Sequence, residues 1–181
     1  AQMLKLGFDR AKLLVVLSDG AKWIRNLCKW LPVKVLLILD LYHVKHKVWE
    51  MAATLFGERS QETRQWAEAQ CQRIEQGQAQ EVIQALEGLK ENHRKARDQI
   101  EDLQTYLQNN LDRMDYPTYR AQGLRVGSGA IESTNYHVTG ARLKLPGMRW
   151  SEDGATQMAS LRADLFNGVW RKRSQQLLTA A

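Results

Sequence analysis

The chain has 181 residues, of which 44% are hydrophobic and 25% are charged, a composition typical of globular proteins and not of disordered ones. That length predicts one domain with a buried core, with room for an insertion. The formal net charge of +6 permits an anionic partner, and no apolar run approaches the about 20 residues of a membrane-spanning helix, so we expect no membrane association.

The charge is distributed unevenly along the chain. Residues 1–57 carry nine basic and four acidic residues, residues 58–115 carry eight and twelve, and residues 116–181 carry nine and four. If the two basic segments pack together, their joint surface is where we expect nucleic acid to bind. The two cysteines, Cys28 and Cys71, lack metal-ligand spacing, which indicates a reduced, cytoplasmic protein.

Residues 13–56 alternate between buried-strand and helix patterns. Apolar runs with β-branched residues alternate with helical spacing, which predicts strand, helix, strand and helix over Leu13–Leu17, Ala21–Leu31, Val33–Leu39 and Val44–Phe56. Continuous apolar strands joined by helices predict a parallel sheet that is covered on both faces. Asp19 and Asp40 follow the two strands, so both are expected at the edge where ligands of such sheets bind.

Each aspartate also has an ordinary interpretation. Asp19 precedes Gly20, and aspartate is a favoured turn residue; the functional alternative is a ligand for Mg²⁺. Asp40 should have a partner if it is buried, and His43 or His46 could supply one. The two histidines are a weak zinc pair, because no further Cys or His completes a site.

Residues 58–115 have a different character. Apolar residues recur there every three to four positions among many Gln, Glu and Arg residues, which predicts two or three amphipathic helices with turns near Gly77 and residues 91–93. Helices of this composition most often pack or dimerise. We interpret the segment as a helical insertion.

A glutamate follows a loop with two glycines in the segment Val126–Lys144. Ser128 is a candidate N-cap that places Glu132 near the first turn of a helix, where an acid is often only a capping residue. Together with Asp19 and Asp40, however, Glu132 suggests a divalent metal site. Further along, Ser151 is predicted to cap a helix over Ala155–Trp170.

Two strand-end aspartates, a long helical segment and a helix-borne glutamate occur here in a recognisable order. The chain resembles the acidic-triad (DDE) transposases of bacterial insertion sequences, in particular the ISKra type, related to Mutator-like and hAT elements. The likeness covers nearly the whole chain. The matching stretches, of which the last two are the specific ones, are SDGAKWI (18–24), ILDLYH (38–43), GSGAIES (127–133) and RLKLPGMRW (142–150).

The resemblance implies an α/β, partial ribonuclease H-like fold, with two parallel strands and helices plus an all-α helical insertion. Asp19 would match the second catalytic aspartate and Glu132 the catalytic glutamate, and the two would be the metal ligands. Asp40 and His43 would match a supporting Asp/Cys-x-x-His motif beside the site. Two Mg²⁺ or Mn²⁺ ions would serve the intact enzyme.

The implied division is a partial catalytic core over residues 1–57, the insertion over 58–118, and the part of the core that carries the glutamate over 119–181. The first catalytic aspartate belongs on a strand upstream of SDGAKWI, and Asp9 lies in no strand pattern. We therefore expect the C-terminal portion of a transposase, inactive by itself.

The implied partner is DNA, at the ends of the element and at the target, in a nucleoid-associated cytoplasmic protein, with a homo-oligomer also open. Arg142, Lys144 and Arg149 are candidates for phosphate contacts, and Trp150 could stack on a base, although a core position is favoured for it. The alternative is a non-catalytic DNA-binding or oligomerising remnant. Another Mg²⁺-dependent phosphoryl-transfer enzyme would need a phosphate-binding loop after a strand.

Overall fold

The protein is mixed α/β and mostly helical. The computed structural model describes residues 7–171 and residue 175. Strands β1 (Leu14–Ser18) and β2 (Val35–Leu39) form a parallel sheet. The α-helices of the described part, α1 to α9, span Lys22–Cys28, Leu41–Phe56, Gln61–Glu75, Ala79–Leu89, Arg97–Asn110, Tyr116–Ala121, Gly129–Asn135, Ala141–Leu143 and Glu152–Phe166.

The two strands are in register from end to end. Leu14 lies opposite Val35, and Ser18 lies opposite Leu39, so both strands end at the same edge of the sheet. The predicted strand-helix-strand order and the parallel pairing are confirmed. The buried residues of β2 belong to the hydrophobic core, whereas β1 is partly buried over most of its length.

The helices that flank β2 differ in length from the prediction. Helix α1 ends at Cys28, three residues before the predicted end at Leu31, where Pro32 disfavours helical backbone. Helix α2 begins at Leu41, three residues before the predicted start. The side chain of Asp40 caps it, so the chain turns from strand to helix with no intervening loop.

The predicted helices of residues 58–115 are confirmed, with turns at Gly77 and at residues 91–93. Helix α2 packs on α3, and α4 packs on α5, so this helical block shares one hydrophobic core with the end of β2. The fully buried large side chains of that core include Ile38, Leu39, Val44, Val48, Ile74, Val82, Leu86, Ile100, Leu107 and Tyr116.

The chain divides into two compact units, residues 1–128 and residues 129–181. In the second unit, α9 packs on a π-helical turn, Tyr136–Gly140, and the N–H group of Gly154 donates to Ser151 Oγ (3.1 Å), which confirms Ser151 as an N-cap. The shared core of the sheet and the helical block does not test the predicted division, because a helical insertion can also pack closely on the domain that contains it. The division into a core and an insertion therefore stays a prediction.

Candidate functional site

The edge of the sheet where both strands end carries two aspartates. Asp19 and Asp40 directly follow the paired residues Ser18 and Leu39, and the N–H group of Asp40 donates to the carbonyl of Ser18 (2.8 Å). The expectation that the two aspartates lie at one edge is confirmed. Ligands of parallel sheets bind at this edge, beyond the carboxyl ends of the strands.

Asp19 is exposed and is held in a defined turn. Its Oδ1 accepts a hydrogen bond from the N–H group of Ala21 (3.0 Å), which is the turn-forming role that aspartate often has. Its backbone carbonyl accepts from the hydroxyl of Tyr106 (2.9 Å). Turn formation and ligand binding are compatible here, because the exposed carboxylate can also contact a ligand.

Asp40, in contrast, is buried and bonded to backbone. Its Oδ1 accepts from the N–H groups of Tyr42 (2.9 Å) and Ser128 (3.2 Å). The predicted histidine partner is therefore wrong: the partners are backbone N–H groups. His43 instead contacts the ring of Tyr106 edge-on, and His46 pairs with Glu50, one helical turn further along α2.

The segment that precedes Glu132 along the chain is fastened to the start of α2. The N–H group of Leu41 donates to the carbonyl of Val126 (2.9 Å), next to the bond from Ser128 to Asp40. Between them, a Cβ on Gly127 would lie 2.5 Å from Cδ2 of Tyr42, so any other residue would require the Tyr42 ring to move. This explains one of the two glycines of the GSG sequence.

Two tyrosines, Tyr106 in the helical block and Tyr116 at the start of α6, contact the ends of the strands. Tyr106 reaches the carbonyl of Asp19, and the hydroxyl of the buried Tyr116 donates to the carbonyl of Leu39 (3.1 Å). Burial raises the pKa of both phenols, so both stay protonated and can donate. These two tyrosines were not predicted from the sequence, because the spacing of apolar residues does not distinguish a tyrosine from any other core aromatic residue. The hydroxyl, which needs a partner when it is buried, is the local feature that could have indicated their role.

Glu132 lies in the first turn of α7, as predicted, and its side chain is exposed. The predicted role of Ser128 as the N-cap of this helix stays a prediction. Asp19 belongs to the compact unit of residues 1–128 and Glu132 to that of residues 129–181. A site shared by the two carboxylates also stays a prediction.

The predicted DNA-contacting residues lie on α8 and the loop after it. Arg142, Lys144 and Arg149 are exposed. Trp150 is 39% exposed, so the favoured core position was wrong. Tryptophan is usually buried because of its apolar area, but here it precedes the capping residue of α9 and stays at the surface.

Among residues 7–171 and 175, no three His, Cys, Asp or Glu side chains are grouped closely enough to hold a metal ion. Of the two aspartates at the sheet edge, Asp19 is the one with an exposed carboxylate, and carboxylate oxygens are the donors that Mg²⁺ and Mn²⁺ prefer. Across the same residues, no helix has both the length and the apolarity to cross a membrane.

Comparison with known proteins shows the family. Residues 3–177 match the family described as "Uncharacterised protein family (UPF0236)". Two curated relatives from Caldanaerobacter subterraneus subsp. tengcongensis, UPF0236 protein TTE0610/TTE0881/TTE1053/TTE2432 and UPF0236 protein TTE1650/TTE2708, are each 28% identical over 160 residues. The match covers 88% of this chain but 32% and 30% of those proteins, so the chain spans about a third of their length. No solved structure matches the chain. The chain belongs to the UPF0236 family.

Proposed function

We propose that the chain is part of a DDE transposase, and that UPF0236 proteins move DNA by metal-dependent strand cleavage and transfer. The observation that carries the proposal is the position of Asp19, an exposed carboxylate at the edge where two parallel strands end. Asp40 and Glu132 follow in the order that the resemblance implies, and Glu132 begins a helix. We assign the fold to the ribonuclease H-like class on the same grounds.

The two aspartates have different roles in this proposal. Asp19 would act as a metal ligand together with Glu132, because its carboxylate is exposed and its turn is fixed by Ala21 and Tyr106. Bound Mg²⁺ or Mn²⁺ would activate the attacking hydroxyl and stabilise the leaving oxygen of the phosphodiester. Asp40 is buried against two backbone N–H groups, so its role is to fasten the segment before Glu132.

The basic surface of the second unit would contact the DNA backbone. Arg142, Lys144 and Arg149 are exposed, and phosphate contacts of this kind position DNA without reading its sequence. Trp150, which is also partly exposed, would stack on an unpaired base. Such contacts would hold the strand in line for attack, which is most of what a protein contributes to phosphoryl transfer.

The names of the two relatives add support at the level of the family. One name carries four gene designations and the other carries two, all from one organism. An element that copies itself would leave its gene at several places in a genome. A transposase is therefore a natural explanation for the repeated designations.

The experiment is a cleavage and strand-transfer assay on duplex DNA that carries the ends of the element, with Mg²⁺ or Mn²⁺. It compares this chain with a UPF0236 protein of the relatives' full length. The full-length protein should be active, and replacing the residues that align with Asp19 and Glu132 by Ala should abolish cleavage while leaving DNA binding intact. The matched control is the position of Glu91, an exposed acid on the helical block.

Two outcomes would contradict the proposal. If the longer relatives lacked an acid at either aligned position, the assignment of Asp19 and Glu132 would be wrong. If the full-length protein bound DNA but did not cleave it with either metal, a non-catalytic DNA-binding or oligomerising protein would be the better explanation.

A further inference from the structure

A pocket of about 370 Å³ opens beside the end of β1. It lies next to Gly20, the residue after Asp19, and is closed on the other side by the end of α5. Its walls carry three cations and three amides, which are Lys22, Arg25, Arg113, Asn26, Asn109 and Asn110. The three cations can only donate hydrogen bonds, whereas the amides can donate and accept, and the Asn110 amide nitrogen already donates to the carbonyl of Tyr106 (2.7 Å). The positive charge of the three cations therefore suits the pocket to a group rich in oxygen atoms and negative charge.

Arg113 is the unusual member of this set. Its side chain is only 5% exposed, yet its Nε and Nη1 atoms have no hydrogen-bond partner among residues 7–171 and 175. The carboxylate of Asp112 lies 4.0 Å from Nε, which is too far for a hydrogen bond. Buried N–H groups of a guanidinium are costly when they are unpaired, and in native proteins a ligand, an ion or an ordered water completes their bonding.

The surrounding charges favour an anion at this position. Arg25 is held in place by an ion pair with Asp112, and Lys22 is exposed at the mouth of the pocket. Burial lowers the pKa of the Arg113 guanidinium, and the positive charge of Arg25 lowers it further, while Asp112 acts in the opposite direction. The carboxylate of Asp112 is already engaged in the ion pair with Arg25.

We infer that this pocket binds a phosphate group of a DNA backbone. Guanidinium groups match the geometry of phosphate oxygens, and the pocket has room for the sugar that a backbone phosphate carries. Because the pocket adjoins Gly20, the bound phosphate would lie beside Asp19, which would hold the strand near the proposed catalytic carboxylate. The inference that the pocket binds a phosphate group rests on the pocket alone. The inference that this phosphate belongs to DNA rests on the proposed function.

The test uses Arg113→Met, which keeps the apolar stem and removes the charge. Without ligand, this variant should melt at the same temperature as the parent chain or higher, because a buried unpaired cation is removed. Inorganic phosphate, compared with chloride at equal ionic strength, should raise the melting temperature of the parent chain but not of the variant. Fluorescence anisotropy should show about tenfold to hundredfold weaker binding of a duplex oligonucleotide.

A second pair of variants keeps the test decisive even if Arg113→Met does not fold. Lys22→Gln removes one exposed cation from the mouth of the pocket, and Lys95→Gln removes one near the opposite end of α5. Lys22→Gln should reduce the effect of phosphate and lower the slope of log affinity against log salt by about 1. Lys95→Gln should change neither the effect of phosphate on the melting temperature nor the slope of log affinity against log salt.

Each result has a defined meaning. If phosphate stabilised the parent chain but DNA binding were unchanged in the variants, the ligand would be a free phosphate compound, and the assignment to DNA would be overturned. If phosphate had no effect and Arg113→Met were destabilising, Arg113 would be a structural residue and the whole inference would be wrong. Neither result depends on DNA cleavage, so a failure here is distinct from a failure of the proposed function.

Discussion

Asp40→Ala should destabilise the chain far more than loss of an ordinary acid. The carboxylate is buried and holds two backbone N–H groups, that of Tyr42 at the start of α2 and that of Ser128, which is 88 residues away in sequence. Alanine would leave both N–H groups without their acceptor. The substitution therefore removes a helix cap and a long-range anchor at once.

The expected size follows from the two bonds. Loss of an N-cap side chain costs about 1 kcal/mol, and loss of a hydrogen bond to a charged acceptor costs about 1.5–3 kcal/mol. The sum predicts a loss of about 2.5–4 kcal/mol in the free energy of unfolding. Asp40→Asn keeps an oxygen that can accept both bonds, and asparagine caps helices as well as aspartate does, so it should cost about 1 kcal/mol.

Urea denaturation followed by circular dichroism measures these free energies, and amide exchange of Ser128 by NMR reports on the anchor itself. Asp40→Ala should speed exchange at Ser128, while Asp40→Asn should leave it protected. Asp19→Ala is the control, since its exposed carboxylate bonds one local N–H group and its loss should cost less than Asp40→Ala. Equal losses for Asp40→Ala and Asp40→Asn, or unchanged exchange at Ser128, would refute the reasoning.

Gly127→Ala should destabilise by about 1–3 kcal/mol, because its Cβ would lie 2.5 Å from Cδ2 of Tyr42. Tyr42→Ala should recover most of this loss in urea denaturation; an equal loss in both backgrounds would mean that the ring is not the obstacle. Burial raises the pKa of Cys71 from 9.0 to about 11, so the folded state holds this proton longer than the unfolded state. The contribution of this pKa shift to the free energy of unfolding is fully present below pH 9 and is lost as the pH rises towards 11. Between pH 8 and pH 10.5, the free energy of unfolding should decrease less for Cys71→Ala than for the parent chain. An identical decrease in both would contradict this reasoning.

Much of the local structure could be predicted because it depends on neighbouring residues. Five consecutive apolar residues followed by Ser18, Asp19 and Gly20 predict a buried strand and a turn, and the spacing of three to four in residues 58–115 predicts helices. The start of α2 was missed because Asp40 was interpreted as the end of a strand and not also as a cap. Both interpretations apply to one residue when strand and helix meet directly.

The partners of buried polar groups could not be predicted in the same way. Asp40 is bonded to Ser128 and not to a nearby histidine, and Tyr106 in the helical block and Tyr116 at the start of α6 reach the strand ends. Arg113 gives no local sign that two of its buried nitrogen atoms will lack a hydrogen-bond partner in the described part of the chain. These contacts join residues far apart in sequence, and a pattern of apolar spacing says only that a face is buried, not what it is buried against.

The sequence by itself determined the order of strands and helices, the two aspartates at one sheet edge and the glutamate in the first turn of a helix, because each follows from local backbone preference and apolar periodicity. Only the tertiary structure decided that Asp19 is exposed while Asp40 is buried, and that α1 and the end of α5 enclose a cationic pocket. Exposure and electrostatic surroundings depend on which elements pack together, and that packing is a property of the whole fold.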